Sequence, residues 1–283
     1  MTVPPERDAY GEMMLAALEG EAGVAEIVER DDGLIDANIT GPAMYFAPFR
    51  RWPAHHRQAM RFVHGRVLDV GAGAGRVSLY LQERGHEVVA IDSSPGAIEV
   101  CRRRGVNEAH LLDFADVDES LGTFDTIVML GNNFGVFGSA AKAKRLLRRL
   151  RALTGDEARI LAESRDVSHR GTADAPWHVE YRRRNVERGR LPGQIRIRIR
   201  FRKFVGPWFD YPMVSPAEMR DILDGTGWEL EQTIDSDDTY VAVIKKAARG
   251  PAARTVRRAT AAGATSRASD RRRPRSAHAS SRR

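Results

Sequence analysis

Apolar residues in the middle of the chain fall into short unbroken runs, each closed by an acid or a glycine and most followed by a stretch with helical spacing. Such runs lie at Val67–Val70, at Glu87–Ile91 closed by Asp92, before Asp113 and Phe114, at Thr126–Leu130 and at Arg159–Glu163. Unbroken apolar runs bounded by turn residues predict strands covered on both faces. Between them, Ser93 or Ser94 can cap a helix with Pro95 at its first position and Gly105 after its end. Ser139 opens another helix through Leu153, with Leu146, Leu147, Leu150 and Leu153 on one stripe. Later, Ser215-Pro-Ala-Glu218 has the form of a capping box for a helix ending at Gly225 or Gly227, and strands near Trp228–Ile234 and Thr239–Lys245 form a hairpin. Strands alternating with helices predict an α/β chain around a parallel sheet.

Two segments stand outside this alternation. Residues 1–64 carry amphipathic helical patterns at Tyr10–Leu18 and Ala22–Arg30, followed by GPAMYFAPFRRWPAHH. Residues 164–214 form an insertion after the fifth strand, in which Ile195, Ile197, Ile199 and Phe201 alternate with Arg196, Arg198, Arg200 and Arg202. That is the period of a half-buried strand. From Arg182 to Lys203 there are ten basic residues and one acid, Glu187. One strand face would therefore carry four guanidiniums, either as a site for an anion or as a charged face that keeps an edge strand from aggregating.

Composition narrows the class. With 283 residues and 42% hydrophobic content the chain can bury one large core with additions. Its single cysteine, Cys101, rules out internal disulfides, fits a reducing compartment and reads as a small buried residue on the inner face of its helix. No apolar run is long enough to cross a membrane and no signal pattern opens the chain, so a cytoplasmic protein without a membrane partner is expected. The net charge of +7 is misleading. Residues 247–283 hold eleven arginines and one acid, Asp270, a net of +10, which leaves −3 for the other 246 residues. A disordered basic tail is expected there, a solvated appendage or a sequence-independent contact for nucleic acid or another acidic surface.

The chemistry is concentrated in VLDVGAGAGR at residues 67–76. A strand turns there into a helix starting near Gly75, and Gly71 and Gly73 let a ligand approach bare backbone. The spacing is GxGxG, whereas a dinucleotide fingerprint reads GxGxxG, and Asp69 precedes the first glycine by two positions. An acid there repels a pyrophosphate and suits a ligand that carries positive charge. S-adenosylmethionine, with an ammonium, a sulfonium and no phosphate, is such a ligand. Asp92, 21 residues beyond Gly71, is placed to accept both ribose hydroxyls.

In these motifs the chain resembles the class I S-adenosylmethionine-dependent methyltransferases, whose glycine motif reads E/D-x-G-x-G-x-G, over roughly residues 60–164 and 213–246. The resemblance implies a doubly wound, Rossmann-like sheet of seven strands in the order 3-2-1-4-5-7-6, with an N-terminal helical lid and a β insertion after strand 5. It implies a cofactor seat made by Asp69, Gly71, Ala72, Gly73 and Gly75. Asp92 and Ser93 would serve the ribose, and Asp113 with Phe114 the adenine, Asp116 competing for the same task. Leu130 and Gly131 would border the methyl group, with Asn132 and Asn133 facing the incoming acceptor. Tyr45, Phe46, Phe49 and Trp52 are candidates to line the lid, with core packing as their alternative, and Arg196 and Arg198 are candidates to touch the acceptor.

The acceptor itself has no motif. Gly131-Asn132-Asn133-Phe134 lacks the [DNS]-P-P-[YFW] sequence of enzymes that methylate exocyclic base amines, and Cys101 lacks the Pro-Cys context of cytosine C5 enzymes. His55, His56, His169, His178 and Tyr181 are candidate bases without a motif behind them, and no metal is expected. Three readings stay open. The first is methyl transfer to a small molecule, anionic if the arginines bind it. The second is a tRNA or rRNA methyltransferase using the insertion and tail, and the third a cofactor-binding regulator without turnover.

Overall fold

The computed structural model describes residues 1–168 and 175–248, apart from the side chain of Trp177. Residues 249–283, which carry all of the tail's arginines, lie outside the described residues, as does His169.

The N-terminal segment mixes helix and strand. Helix α1 (Ala9–Leu18) is capped by buried Asp8, which accepts the Gly11 N–H at 2.9 Å. Strands β1 (Glu26–Arg30) and β2 (Ile35–Asn38) follow, then helices α2 (Gly41–Tyr45) and α3 (Ala54–Ala59). The helix expected at Ala22–Arg30 is thus a strand over its second half. Gly23 takes a left-handed φ of 72° that interrupts helical winding, and β-branched Ile27 and Val28 pair with partners on both sides. The lid drawn from sequence as helical is to that extent corrected.

The alternating middle of the chain supplies β3 (Val67–Val70), α4 (Arg76–Gln82), β4 (Val88–Asp92), α5 (Pro95–Arg103), β5 (Glu108–Leu111), β6 (Phe124–Met129), α6 (Ala140–Ala152) and β7 (Thr154–Arg165). The insertion contains a helix, α7 (Pro176–Glu187), besides strands β8 (Gln194–Phe201), β9 (Phe204–Val205) and β10 (Phe209–Pro212). Helix α8 (Pro216–Leu223) and strands β11 (Trp228–Ser236) and β12 (Thr239–Lys246) end the described chain. The large sheet runs β11-β12-β7-β6-β3-β4-β5, with β3 to β7 parallel and β12 antiparallel to both neighbours. Every residue of β3 and β4 is buried, which is why these strands read as unbroken apolar runs. One face packs Leu68, Val89 and Ile127 against Leu147 of α6 and Met219 of α8. The other packs Val67, Val128 and Val243 against Val77 of α4 and the N-terminal Trp52 and Ala59. Helix caps form at Ser94, Ser139 and the Ser215–Glu218 box, and Ser94 is the residue that caps α5.

A smaller sheet, in the order β10-β8-β1-β2 with β9 on β8, joins the N-terminal segment to the insertion. Strand β8 is an interior strand, so its arginines do not guard a free edge. Its other face does what the alternation predicts, Ile199 and Phe201 packing with Met13 and Met14 of α1. Glu29 of β1 pairs with Arg198 and Arg200, Glu21 with Arg202, and Asp210 with Arg190 at 2.8 Å and Arg196 at 3.7 Å. The expected row of four guanidiniums is matched by acids from neighbouring segments. Among the described residues no helix is long and apolar enough to cross a membrane.

Candidate functional site

The turn after β3 can be made only by glycine at two points. Gly71 and Gly73 have φ of 68° and 56°. A Cβ on Gly71 would stand 2.4 Å from Asn133 Nδ2, and one on Gly73 2.9 Å from the Tyr10 hydroxyl. A side chain at either position would thus collide with residues that line the cavity, Asn133 at Gly71 and Tyr10 at Gly73. Two acids border it. Asp69 accepts the Ser78 hydroxyl at 2.7 Å, and burial pushes its carboxyl up to about 6. Asp92 accepts the Gly73 and Ser94 N–H groups at 3.0 and 2.9 Å, and burial pushes it also to about 6. Cys101 donates to the Gly73 carbonyl at 3.2 Å with its thiol pushed up by burial, which makes it a packing residue and no nucleophile.

These groups open onto a cavity of about 1060 Å³. Asp69, Gly71, Ala72, Asp92 and Ser93 form one side of it. Asp113 and Phe114 continue that wall, whereas Asp116 is not part of it. Asp113 accepts the Ala115 N–H at 2.7 Å and faces the Met1 ammonium at 2.8 Å, which, once burial is outweighed, lowers its pKa. Leu130, Gly131, Asn132 and Asn133 complete the floor. Gly73 and Gly75 stand behind the lining, where Gly75 is backed by Val106 and Cys101.

The opposite wall comes from the smaller sheet and the segments beside it. Tyr45 and Arg196 line the cavity, while Arg198 is turned away onto Glu29 and the Trp208 ring, whose centre lies 4.4 Å from the guanidinium carbon. Of the other aromatic candidates, Trp52 is buried with its ring N–H on the Ala47 carbonyl at 2.8 Å, and Phe49 stacks on Tyr80 at 4.1 Å; both belong to the core. Phe46 packs beside α1 beneath Arg104. Glu26 is a wall residue that the sequence did not single out. The Tyr45 hydroxyl donates to it at 3.1 and 3.2 Å, and burial, with Asp36 nearby, raises its affinity for a proton.

The remaining base candidates have fixed roles. His178 lines the cavity, but Arg30 donates to its Nδ1 at 3.0 Å, so its Nε2 carries the hydrogen of the neutral ring. Burial and the Arg30 charge lower its pKa. Tyr181 donates to Asp31 at 2.6 Å and is pushed up to about 12 by burial. His55 and His56 meet Glu163 of β7 behind the cavity wall, three buried residues whose ligating atoms lie within 4.8 Å of one another. By donor type they could hold a metal ion. The hydrogen-bond pattern opposes this for His56, because Arg76 donates to its Nδ1 at 3.2 Å and leaves Nε2 protonated toward Glu163. Nothing in the sequence paired these residues, since His55 and Glu163 are 108 positions apart. Asp8 was equally silent: it accepts the Ser94 hydroxyl at 2.8 Å and the Gly96 N–H at 2.8 Å, fastening α1 to the start of α5.

Comparison with known proteins agrees with this geometry. Residues 67–156 match the family described as "Methyltransferase domain". An S-adenosylmethionine-dependent methyltransferase from Bacteroides fragilis, solved with S-adenosyl-L-homocysteine, superposes with a TM-score of 0.72 at 26% identity, covering 88% of this chain and 98% of that one. A 2-heptyl-1-hydroxyquinolin-4(1H)-one methyltransferase of Mycobacteroides abscessus is 40% identical over 73 residues, 23% of this chain and 32% of its own. A glycine/sarcosine N-methyltransferase of Parasynechococcus marenigrum is 31% identical over 117 residues, 39% of each chain. The chain thus spans about a third of the length of these curated relatives.

Proposed function

We propose that this chain, which belongs to the class I S-adenosylmethionine-dependent methyltransferase family, transfers a methyl group to a small-molecule acceptor held between its two sheets. The observation that carries this reading is the single cavity in which Asp69, Asp92 and Asp113 face the wall made by Glu26, Tyr45 and Tyr211. Its volume is at the upper end of what one small ligand fills, which fits a cofactor and a small acceptor side by side.

S-adenosylmethionine, when bound, supplies an electrophilic methyl on a sulfonium. The residues present suit it. Asp69 would receive the ammonium, Asp92 and Ser93 the ribose hydroxyls, and Asp113 with Phe114 the adenine. Two carboxylates held near 6 by burial are a seat that gains when a cation and hydroxyl donors arrive. Glu26 would accept the proton that an N–H or O–H acceptor gives up on methylation. Residues 1–64 and the insertion enclose the acceptor and exclude water. The curated relatives named above act, by their names, on a hydroxyquinolone and on glycine or sarcosine, which supports a small acceptor. An anionic acceptor and an RNA acceptor have less support, because Arg198, Arg200 and Arg202 are paired with Glu29 and Glu21.

The test is label transfer from methyl-labelled cofactor to a low-molecular-weight metabolite fraction and, in parallel, to total RNA. Label in the small-molecule fraction is expected. Label confined to RNA overturns the small-acceptor reading, and tight cofactor binding without transfer to either would make the chain a regulator.

A further inference from the structure

Behind the cavity floor at Leu130–Asn132 lies a buried carboxylate that the mechanism above does not use. Glu163 sits near the carboxyl end of β7 and is 6% exposed. Its Oε2 accepts the backbone N–H groups of Gly131 and, at 2.9 Å, of Asn132. Its Oε1 accepts from His55 Nε2 at 3.1 Å, and His56 Nε2 stands 2.9 Å from Oε2 in a bent contact. Both rings present N–H to the carboxylate. Arg76 donates to Nδ1 of His56, and Nδ1 of His55 is buried with no partner, where a bare lone pair is tolerated better than an unmet donor. Three hydrogen-bond donors and the close His56 ring, whose Nε2 makes no hydrogen bond of good geometry, surround one carboxylate and hold its pKa well below the usual carboxylate range in spite of burial.

What this anion fixes is a backbone turn. Gly131 and Asn132 both have left-handed φ, 80° and 64°, and for the asparagine that conformation costs about 1 kcal/mol unless its surroundings enforce it. Glu163 takes the N–H groups from one side, and from the other the Tyr211 hydroxyl donates to the Asn132 carbonyl at 2.7 Å and, at 3.4 Å, to one edge of the Gly131 carbonyl. In a planar trans peptide the carbonyl points opposite to the following N–H. With the N–H groups of Gly131 and Asn132 drawn back onto Glu163, the carbonyls of Leu130 and Gly131 must face away from it, toward the cavity that both residues line.

We propose that Glu163, set by His55, His56 and Arg76, is the positioning residue of methyl transfer, aiming the Leu130 and Gly131 carbonyls at the donor-bearing group of the acceptor. This rests on the methyltransferase reading above. Because Arg76 also lines the cofactor side of the cavity, the cluster ties the cofactor seat to the floor on which the acceptor lies.

The experiment compares wild type with Glu163→Gln, His56→Leu and His56→Gln in the full chain, following the Gly131 and Asn132 amide protons by NMR, S-adenosylhomocysteine affinity and, once an acceptor is in hand, kcat. A glutamine offers one acceptor oxygen and an NH2 where three donors meet two carboxylate oxygens, so Glu163→Gln should move both amide resonances upfield and lower kcat about 10²-fold. Affinity for S-adenosylhomocysteine should be retained. His56→Leu should follow in the same direction, and His56→Gln, which keeps a donor, should recover most of the loss. Unmoved amides or an unchanged kcat in Glu163→Gln overturns the proposal. So does a parallel loss of affinity and kcat that His56→Gln does not relieve, or stoichiometric zinc on the wild-type protein that Glu163→Gln releases. If wild type binds cofactor and methylates nothing, the proposed function fails, and the amide shifts alone judge the positioning role.

Discussion

The two sheets of this molecule are built on opposite plans. In the large sheet four of the five parallel strands lead into one wall of the cavity, through Asp69 in β3, Asp92 in β4, Asp113 just after β5 and Leu130 after β6. The small sheet is closed by a pairing of β1 with β8, in which Glu29 and Arg198 are 169 positions apart. Local sequence therefore dictates the first wall, and only the completed fold dictates the second. A seat built from consecutive strand ends is suited to one invariant ligand, while a wall assembled from remote segments can change its occupant without disturbing the cofactor.

Breaking each wall in turn should separate these roles. The largest effect is expected from Glu26→Gln, which should lower kcat about 10³-fold if its carboxylate carries the acceptor's proton, and should remove the acidic limb of the kcat profile. Cofactor affinity measured by calorimetry should not change. Asp69→Asn should do the reverse, weakening S-adenosylhomocysteine binding about 10²-fold through loss of a charge-assisted contact. It should also raise the melting temperature of the ligand-free chain. An acid moved by burial from 3.8 to about 6 opposes folding by about 3 kcal/mol at neutral pH, and the amide removes that cost.

The same acids set a pH dependence whose sign can be checked. Asp69 and Asp92 hold protons more tightly in the folded chain than in the unfolded one. Their ionisation therefore erodes the stability of the free chain as pH rises from about 4 to about 6. Cofactor affinity should rise over that window, because the ligand prefers both carboxylates ionised. Urea midpoints and calorimetric affinities at pH 5 and 7.5 test this, and parallel slopes would contradict it. The smallest effect is expected from Glu29→Gln, which should leave cofactor binding intact and raise the acceptor KM several-fold by loosening Arg198 and Arg200. An equal loss of cofactor affinity would mean that the two walls are not independent.

The cavity wall at the strand ends could be read from sequence because its signals are local and redundant. Glycines at fixed spacing, the acids Asp69, Asp92 and Asp113 at or just after three strands and a Ser-Pro cap all lie within a few residues of one another. The second wall could not. Ile27 and Val28 suit a helix or a strand equally until β8 arrives, and the arginines of β8 look like a binding face until Glu21, Glu29 and Asp210 are seen opposite them. The His55–His56–Glu163 cluster was illegible for the same reason. Two adjacent histidines on a short helix and one acid at the end of an apolar run carry no shared pattern, and their meeting depends on α3 packing across β11 and β12. Asp8, which no sequence motif marks, caps α1 and also holds Ser94 and Gly96.

The β1–β8 pairing has one more consequence, in the order of events. Joining segments so distant requires a long loop to close, and its entropy must be met before any contact between them is gained. The parallel pairs of the large sheet join residues at most 59 positions apart, as Val67 and Thr126 are, and can form without it. The small sheet is then expected to assemble last and to open first, with amides of β1 exchanging faster than those of β3 or β4. A wall that breathes while the wall at the strand ends stays shut is also a doorway, and for a cavity lined by both sheets it gives a ligand a way in and a way out.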